Sequence, residues 1–132
     1  MTNKRKITPA EWEIMAAIWE LDRQVTVREV LEHLFPGGEK AYTTVQTTMN
    51  ILERKNMLSR EKIGLVNFYL PTRSRHDISA SETSSLVSRV FDGSIPALAN
   101  SLLSMDDLGL AEVRQIKKML ADKEKELKER KK

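Results

Sequence analysis

The chain contains 132 residues, of which 40% are hydrophobic and 31% charged, with a formal net charge of +3 and no cysteine. This length accommodates one modest hydrophobic core with an appendage, but not two large domains. The lack of cysteine excludes disulfide bonds, thiolate metal sites and a cysteine nucleophile. No apolar segment follows the basic N-terminus and no 18 apolar residues are consecutive, so we expect a cytoplasmic protein without membrane insertion.

The excess positive charge lies in the first part of the chain. Residues 1–75 contain 12 Lys and Arg against 9 Asp and Glu, whereas residues 76–132 contain 10 of each sign. A mild basic excess is compatible with nucleic-acid binding, and a solvated surface of mixed charge is the alternative.

Two helices with threonine caps open the chain. Thr8 precedes Pro9 and Glu11, a pattern of N-cap, first-turn proline and capping box that predicts a helix to about Leu21. Thr26 starts the same pattern again, which predicts a short second helix that stops at Pro36-Gly37-Gly38. Trp12 and Trp19 could stack on bases, but their helical spacing among Ile and Met favours a place in the core.

A third helix begins in "AYTTVQTTMNILERKNMLSREKI", residues 41–63, where four threonines fall within six positions. Threonine is a poor helix former, so packing must stabilise this helix. On a helical wheel Val45, Met49 and Leu52 form the core face. The opposite polar face contains Thr43, Gln46, Thr47, Asn50 and Arg54, and we expect it to be free of acidic residues.

Short hydroxyl and amide side chains suit a surface that approaches DNA, because they can donate to phosphates and to base edges. We predict that Thr43, Gln46, Thr47 and Asn50 read bases in the major groove. Thr44 lies at the flank, and Tyr42 and Arg54 are predicted phosphate contacts. Thr48 is closer to the buried side and is predicted to be structural.

A β-hairpin follows the third helix. Residues 58–63 alternate like a strand, "NFYL" is the predicted partner strand, and Gly64 lies in the connection. Three helices and a hairpin form a winged helix-turn-helix, in which the third helix enters the major groove and the hairpin lies near the DNA backbone. Arg60, Lys62 and Asn67 are the candidate contacts of this wing.

The last part of the chain, residues 76–132, reads as a helical dimerisation domain. Three short amphipathic helices are predicted, and such helices cannot easily bury their apolar faces alone. A second copy of the chain would cover these faces. The predicted dimerisation residues are Leu86, Val90, Phe91, Leu98, Leu102, Val113, Ile116 and Leu120. The lysine-rich residues after 121 are predicted to fray, and a DNA contact by this segment is the weaker alternative.

Four blocks of the sequence resemble consecutive signatures of the penicillinase repressor family. They are "ITPAEWEIMAAIWE", "VTVREVLEHL", "AYTTVQTTMNILERKNMLSRE" and "VFDGSIPALANSLL". The family comprises bacterial repressors of β-lactamase genes and of methicillin resistance, together with copper-responsive relatives. The resemblance implies a homodimer of winged helices that binds a palindromic operator and blocks transcription until a membrane-bound sensor protease leads to its cleavage.

Two features of those relatives do not transfer directly to this chain. In staphylococcal members the cleaved bond joins Asn and Phe, and the pair at the matching position here is Ser101-Leu102, so the resemblance places a possible cleavage site there. The copper-responsive relatives carry cysteines at the C-terminus, and a chain without cysteine cannot sense copper through thiolates.

The sequence contains no pattern that indicates catalysis. It lacks G-x-S-x-G and a glycine-rich phosphate loop, and His33 and His76 have no partner at metal-ligand spacing. We therefore predict no enzyme activity, no metal and no cofactor. A winged-helix module that binds another protein, without sequence-specific DNA binding, is the alternative function.

Overall fold

The computed structural model describes residues 6–131; residues 1–5 of the predicted DNA-binding domain and Lys132 of the predicted frayed end lie outside the described part. Its elements in chain order are α1 (Pro9–Leu21), α2 (Val27–Leu34), α3 (Tyr42–Arg54), β1 (Leu58–Ile63), β2 (Val66–Pro71), α4 (Arg75–Val90), α5 (Ile95–Leu103) and α6 (Leu110–Arg130). The predicted fold class, mainly helical with one small hairpin, is confirmed.

The first two helices start as their sequence predicts. The Thr8 hydroxyl accepts a hydrogen bond from the Glu11 amide, and the Glu11 carboxylate accepts one from the Thr8 amide. Thr26 and Glu29 form the same reciprocal capping box at α2. These caps satisfy amide groups that have no partner inside a helix.

The hairpin is an antiparallel pair in which Leu58 lies opposite Pro71 and Ile63 opposite Val66. Gly64 in its turn has a φ of +67°, a backbone conformation that glycine adopts without steric cost. A backbone bridge from Val25 to Tyr69 ties β2 to the segment between α1 and α2. The wing is therefore fixed to the helices at its second strand.

One hydrophobic core joins α1, α2, α3 and the hairpin. Its largest fully buried side chains include Tyr69, Met15, Ile18, Met49 and Leu52. Trp12 and Trp19 both pack against this core. Their rings meet edge to face with centroids 5.5 Å apart, and the Trp19 indole nitrogen donates to the Arg73 carbonyl. The two tryptophans are structural, as predicted.

The chain divides into two compact units, of which the first ends at Ser81 and the second begins at Glu82. The boundary lies inside α4, which includes the polar segment "HDISASETSS". The assignment of DNA binding to residues 1–75 and of dimerisation to residues 76–132 stays a prediction.

In the second unit, Ser94 caps α5 by accepting a hydrogen bond from the Ala97 amide. The predicted fraying after residue 121 is wrong, because α6 continues to Arg130. Ion pairs one helical turn apart, Lys118 with Asp122 and Glu126 with Arg130, support the added turns. None of the described helices is long and apolar enough to cross a membrane.

Candidate nucleic-acid interface

The outer face of α3 displays hydroxyl groups on a firmly packed helix. Val45, Met49 and Leu52 are buried in the core, whereas Thr43, Thr44, Thr47 and Arg54 are exposed. The threonines are tolerated in this helix because its inner face supplies the stability. The exposed positions of this face extend from Thr43 to Arg54.

Thr48 differs from the other threonines, as the sequence indicated. It is half-buried, and its hydroxyl donates to the Thr44 carbonyl at 3.0 Å. A threonine bonded to the preceding turn in this way satisfies its own polar group. Thr48 is accordingly a structural residue.

Asn50 is joined to the wing by a hydrogen bond that the sequence did not predict. The Tyr69 hydroxyl donates to Asn50 Oδ1 at 2.9 Å, and Asn50 is half-buried while Tyr69 is fully buried. Burial raises the pKa of Tyr69, against the opposing charge and hydrogen bond of the Arg60 guanidinium. The phenol therefore stays protonated and able to donate.

The expectation of a polar face without acidic residues is wrong at the C-terminal end of α3. Glu53 follows Gln46 by seven residues and so lies at the same flank of the helix. Its carboxylate is 3.5 Å from the guanidinium of Arg60 on β1. Arg60 neutralises Glu53, so this arginine is tied to the helix rather than free at the tip of the wing.

Arg28 is a candidate contact residue that the sequence reasoning missed. Its guanidinium lies 5.1 Å from the centre of the Tyr42 ring, which is itself exposed at the start of α3. A guanidinium stacked on an aromatic ring keeps its donors free for an anion. The turn between α2 and α3 brings the two residues together, and although Pro36-Gly37-Gly38 predicts a turn, the sequence does not reveal which side chains meet across it.

A groove separates α3 from the wing, and we refer to it as the helix–wing groove. It encloses about 340 Å³ and is lined by side chains that include Arg28, Tyr42, Gln46, Leu65, Asn67 and Tyr69. Three of the predicted contact residues, Tyr42, Gln46 and Asn67, thus share one surface. Gln46 and Asn67 are both half-buried at its walls.

The end of the wing combines one lysine with apolar side chains. Lys62 is exposed and lies opposite Asn67 in the hairpin register. Leu65, in the turn, is 94% exposed, and Ile63 and Val66 beside it are about half exposed. Such an apolar tip is unusual at a solvent surface and indicates a contact.

The second unit carries apolar faces without a core. None of the described residues from 82 to 131 is buried, although Leu86, Phe91, Leu98, Val113 and Ile116 are half-buried. Val90, Leu102 and Leu120 are more than 45% exposed. Ser101 and Leu102, the pair at the possible cleavage position, are both exposed and lie within α5.

No group of three or more His, Cys, Asp or Glu side chains that could hold a metal occurs among the described residues. Three helices and a two-stranded wing, with the third helix exposed beside the wing, define a winged helix-turn-helix. This is the fold of a large class of transcription regulators.

The penicillinase repressor family model matches residues 7–122, so the chain belongs to the penicillinase repressor family. The chain is accordingly a DNA-binding transcriptional repressor and not an enzyme, as predicted. It is 26% identical to the penicillinase repressor of Bacillus licheniformis over 94% of this chain and 96% of that protein. It is 23% identical to the methicillin resistance regulatory protein MecI of Mammaliicoccus sciuri over 93% and 100%. MepR, a transcription regulator of a Staphylococcus aureus multidrug efflux pump, superposes with a TM-score of 0.47 at 19% identity, over 92% of this chain and 81% of that one.

Proposed function

We propose that the protein binds a palindromic operator as a homodimer and represses transcription, with one α3 in the major groove of each half-site. The observation that carries this proposal is the exposed hydroxyl and amide face of α3 beside the wing. Thr43, Gln46 and Thr47 face outward there, and side chains of these types read base edges. Two symmetric copies read half-sites about 10 base pairs apart, or a multiple of that spacing.

Phosphate contacts hold this helix in register. Ala41 at the N-cap of α3 supplies no side-chain hydrogen bond, in contrast to the threonines that cap α1 and α2. The first amides of α3, the stacked Arg28 and Tyr42, and the exposed Arg54 provide donors for the DNA backbone. Thr44 joins them at the flank of the helix.

The wing contacts the DNA beside the groove that α3 occupies. Lys62 binds a phosphate, and Asn67 contributes from the wall of the helix–wing groove. Leu65 at the tip meets the adjacent minor groove, where aliphatic side chains can wedge between base steps. The segment from Lys62 to Leu70 contains no acidic residue that would repel the phosphates.

The second unit holds the dimer together. Its eight predicted dimerisation residues are half-buried or exposed in a single chain, and a second copy buries them. Induction by a sensor protease would follow from cleavage at Ser101-Leu102 in α5. Such a cut separates α6 from α4 along the chain and so removes part of the surface that pairs two copies.

A selection from random duplex DNA tests the proposal, because the selection itself finds the operator sequence. The protein should enrich inverted repeats, and a gel shift with the promoter of its own gene should then show the same site. The alternative from the sequence, a winged-helix module that binds only another protein, does not agree with membership of a family of DNA-binding repressors. Enrichment of no sequence would contradict the proposal.

A further inference from the structure

We propose that Tyr69 is a positioning residue that dictates how Asn50 reads DNA, by holding the amide oxygen of Asn50 toward the wing and its amide donors toward a base. This inference rests on the proposed function, because it concerns the specificity of the α3 face. It differs from the ordinary expectation that an asparagine in a recognition helix pairs with adenine through both of its polar atoms.

The first step is the direction of the hydrogen bond between Tyr69 and Asn50. A phenol can donate or accept, and so can the two ends of an amide. Arg60 is the cross-strand partner of Tyr69, and its guanidinium has no acceptor for the phenolic proton. That proton is therefore available to Asn50. The Tyr69 hydroxyl therefore donates to Oδ1, 2.9 Å away.

The second step is the state of the other end of the Asn50 amide. No described residue accepts a hydrogen bond from Asn50 Nδ2. Among the described residues, however, no side-chain nitrogen or oxygen that is buried lacks a partner. The Nδ2 group must therefore reach solvent. It lies on the face of α3 between Gln46 and Thr47, where DNA would replace that solvent.

The third step is that the network holds this arrangement rigidly. Tyr69 is buried in the core, and its backbone bonds with Val25 in both directions at 3.0 and 2.7 Å. Arg60 is held in turn by Glu53 of α3. The Asn50 side chain, on α3, is thus fixed by its bond to the wing before DNA binds. Its amide cannot rotate by 180° without breaking the bond to Tyr69.

The consequence for recognition follows from the groups that bases display. Adenine pairs with an amide by accepting at N7 and donating from N6, and the second contact needs an amide oxygen that faces the base rather than the wing. Guanine offers two acceptors, O6 and N7, which the two N–H groups of Nδ2 can reach. We expect guanine rather than adenine at the position that Asn50 contacts.

The experiment selects binding sites from random duplex DNA with the full chain and its variants. Asn50→Ala identifies the position, which should be the one in each half-site where guanine preference disappears. Tyr69→Phe removes the bond that holds the amide oxygen toward the wing, so the amide can turn and adenine should gain at that position by about five-fold or more, the effect of one bidentate base contact. In the double variant Asn50→Ala with Tyr69→Phe, adenine should gain nothing, which separates positioning of Asn50 from a general loosening of the fold.

Asn50→Asp tests the same hydrogen bond if the Tyr69→Phe variant does not fold. The aspartate can still accept from Tyr69 while it presents an acceptor outward, so the preference should change from guanine to cytosine, whose N4 donates. The proposal is overturned when the natural protein selects adenine at this position, when Asn50→Ala relaxes no position, or when Asn50→Asp and a folded Tyr69→Phe keep the original base. Failure of the proposed function gives a different result, since the natural protein would then enrich no sequence at all.

Discussion

Lys55 Nζ lies 2.7 Å from Glu11 Oε1, and this ion pair joins the C-terminal end of α3 to the first turn of α1. Glu11 is 5% exposed, and the same carboxylate oxygen closes the capping box with the Thr8 amide. The Lys55 ammonium also donates to the Lys6 carbonyl. The pair therefore sets the position of the DNA-reading helix against the core.

Lys55→Met should lower the free energy of unfolding by about 3 kcal/mol, because it leaves a buried carboxylate without its cation. Urea unfolding followed by circular dichroism measures the change. Lys40→Met is the matched control, since Lys40 is exposed and should change stability by roughly 0.5 kcal/mol or less. Equal effects of the two substitutions would show that the ion pair does not stabilise the fold.

Lys62→Ala should weaken binding to all DNA sequences alike. The lysine contacts a phosphate in the proposed complex, and one lost phosphate contact reduces the slope of log affinity against log salt by about one unit. Fluorescence anisotropy titrations at several salt concentrations measure that slope. An unaltered slope would remove Lys62 from the interface.

Leu65→Ala should lower operator affinity by about tenfold, because burial of a leucine side chain contributes roughly 1.5 kcal/mol. Leu70→Ala is the matched control at the other end of the same hairpin, where Leu70 is 41% exposed and lies opposite Ser59. Replacing guanine by inosine in the flanking base pairs alters only the minor groove and should change affinity for the natural protein more than for Leu65→Ala. Identical behaviour of the two leucine variants would place the wing tip outside the complex.

Leu120→Lys should convert the dimer into monomers and reduce operator binding, since it puts a charge into the apolar face of α6. Sedimentation velocity measures the oligomeric state. Gln115→Lys introduces the same charge on the other side of α6 and should leave the dimer intact. A dimeric Leu120→Lys protein would exclude this face from the interface.

The sequence predicted those features that local patterns encode. The threonine capping boxes, the alternation of the hairpin and the buried triad of Val45, Met49 and Leu52 each depend on residues close in the chain. The predicted end of α6 was wrong because its last turns are stabilised by ion pairs along one face of the helix. By composition alone, the same charged residues are typical of a solvated tail.

The contacts that connect α3 to its surroundings could not be predicted from such patterns. Arg28 meets Tyr42, Lys55 meets Glu11, and Tyr69 meets Asn50 only because the tertiary fold brings separate elements together. The sequence correctly indicated which face of α3 is exposed. It did not indicate that the wing already occupies one acceptor on that face.

Selection of binding sites by the natural protein and by Gln46→Ala shows whether the α3 face reads the operator. We expect the natural protein to enrich inverted repeats with half-sites about 10 base pairs apart or a multiple of it. Gln46→Ala should recover the same repeats with one position in each half-site relaxed. Enrichment of no repeat, or an unchanged base preference at every position of the half-site, would contradict the claim that the α3 face reads the operator.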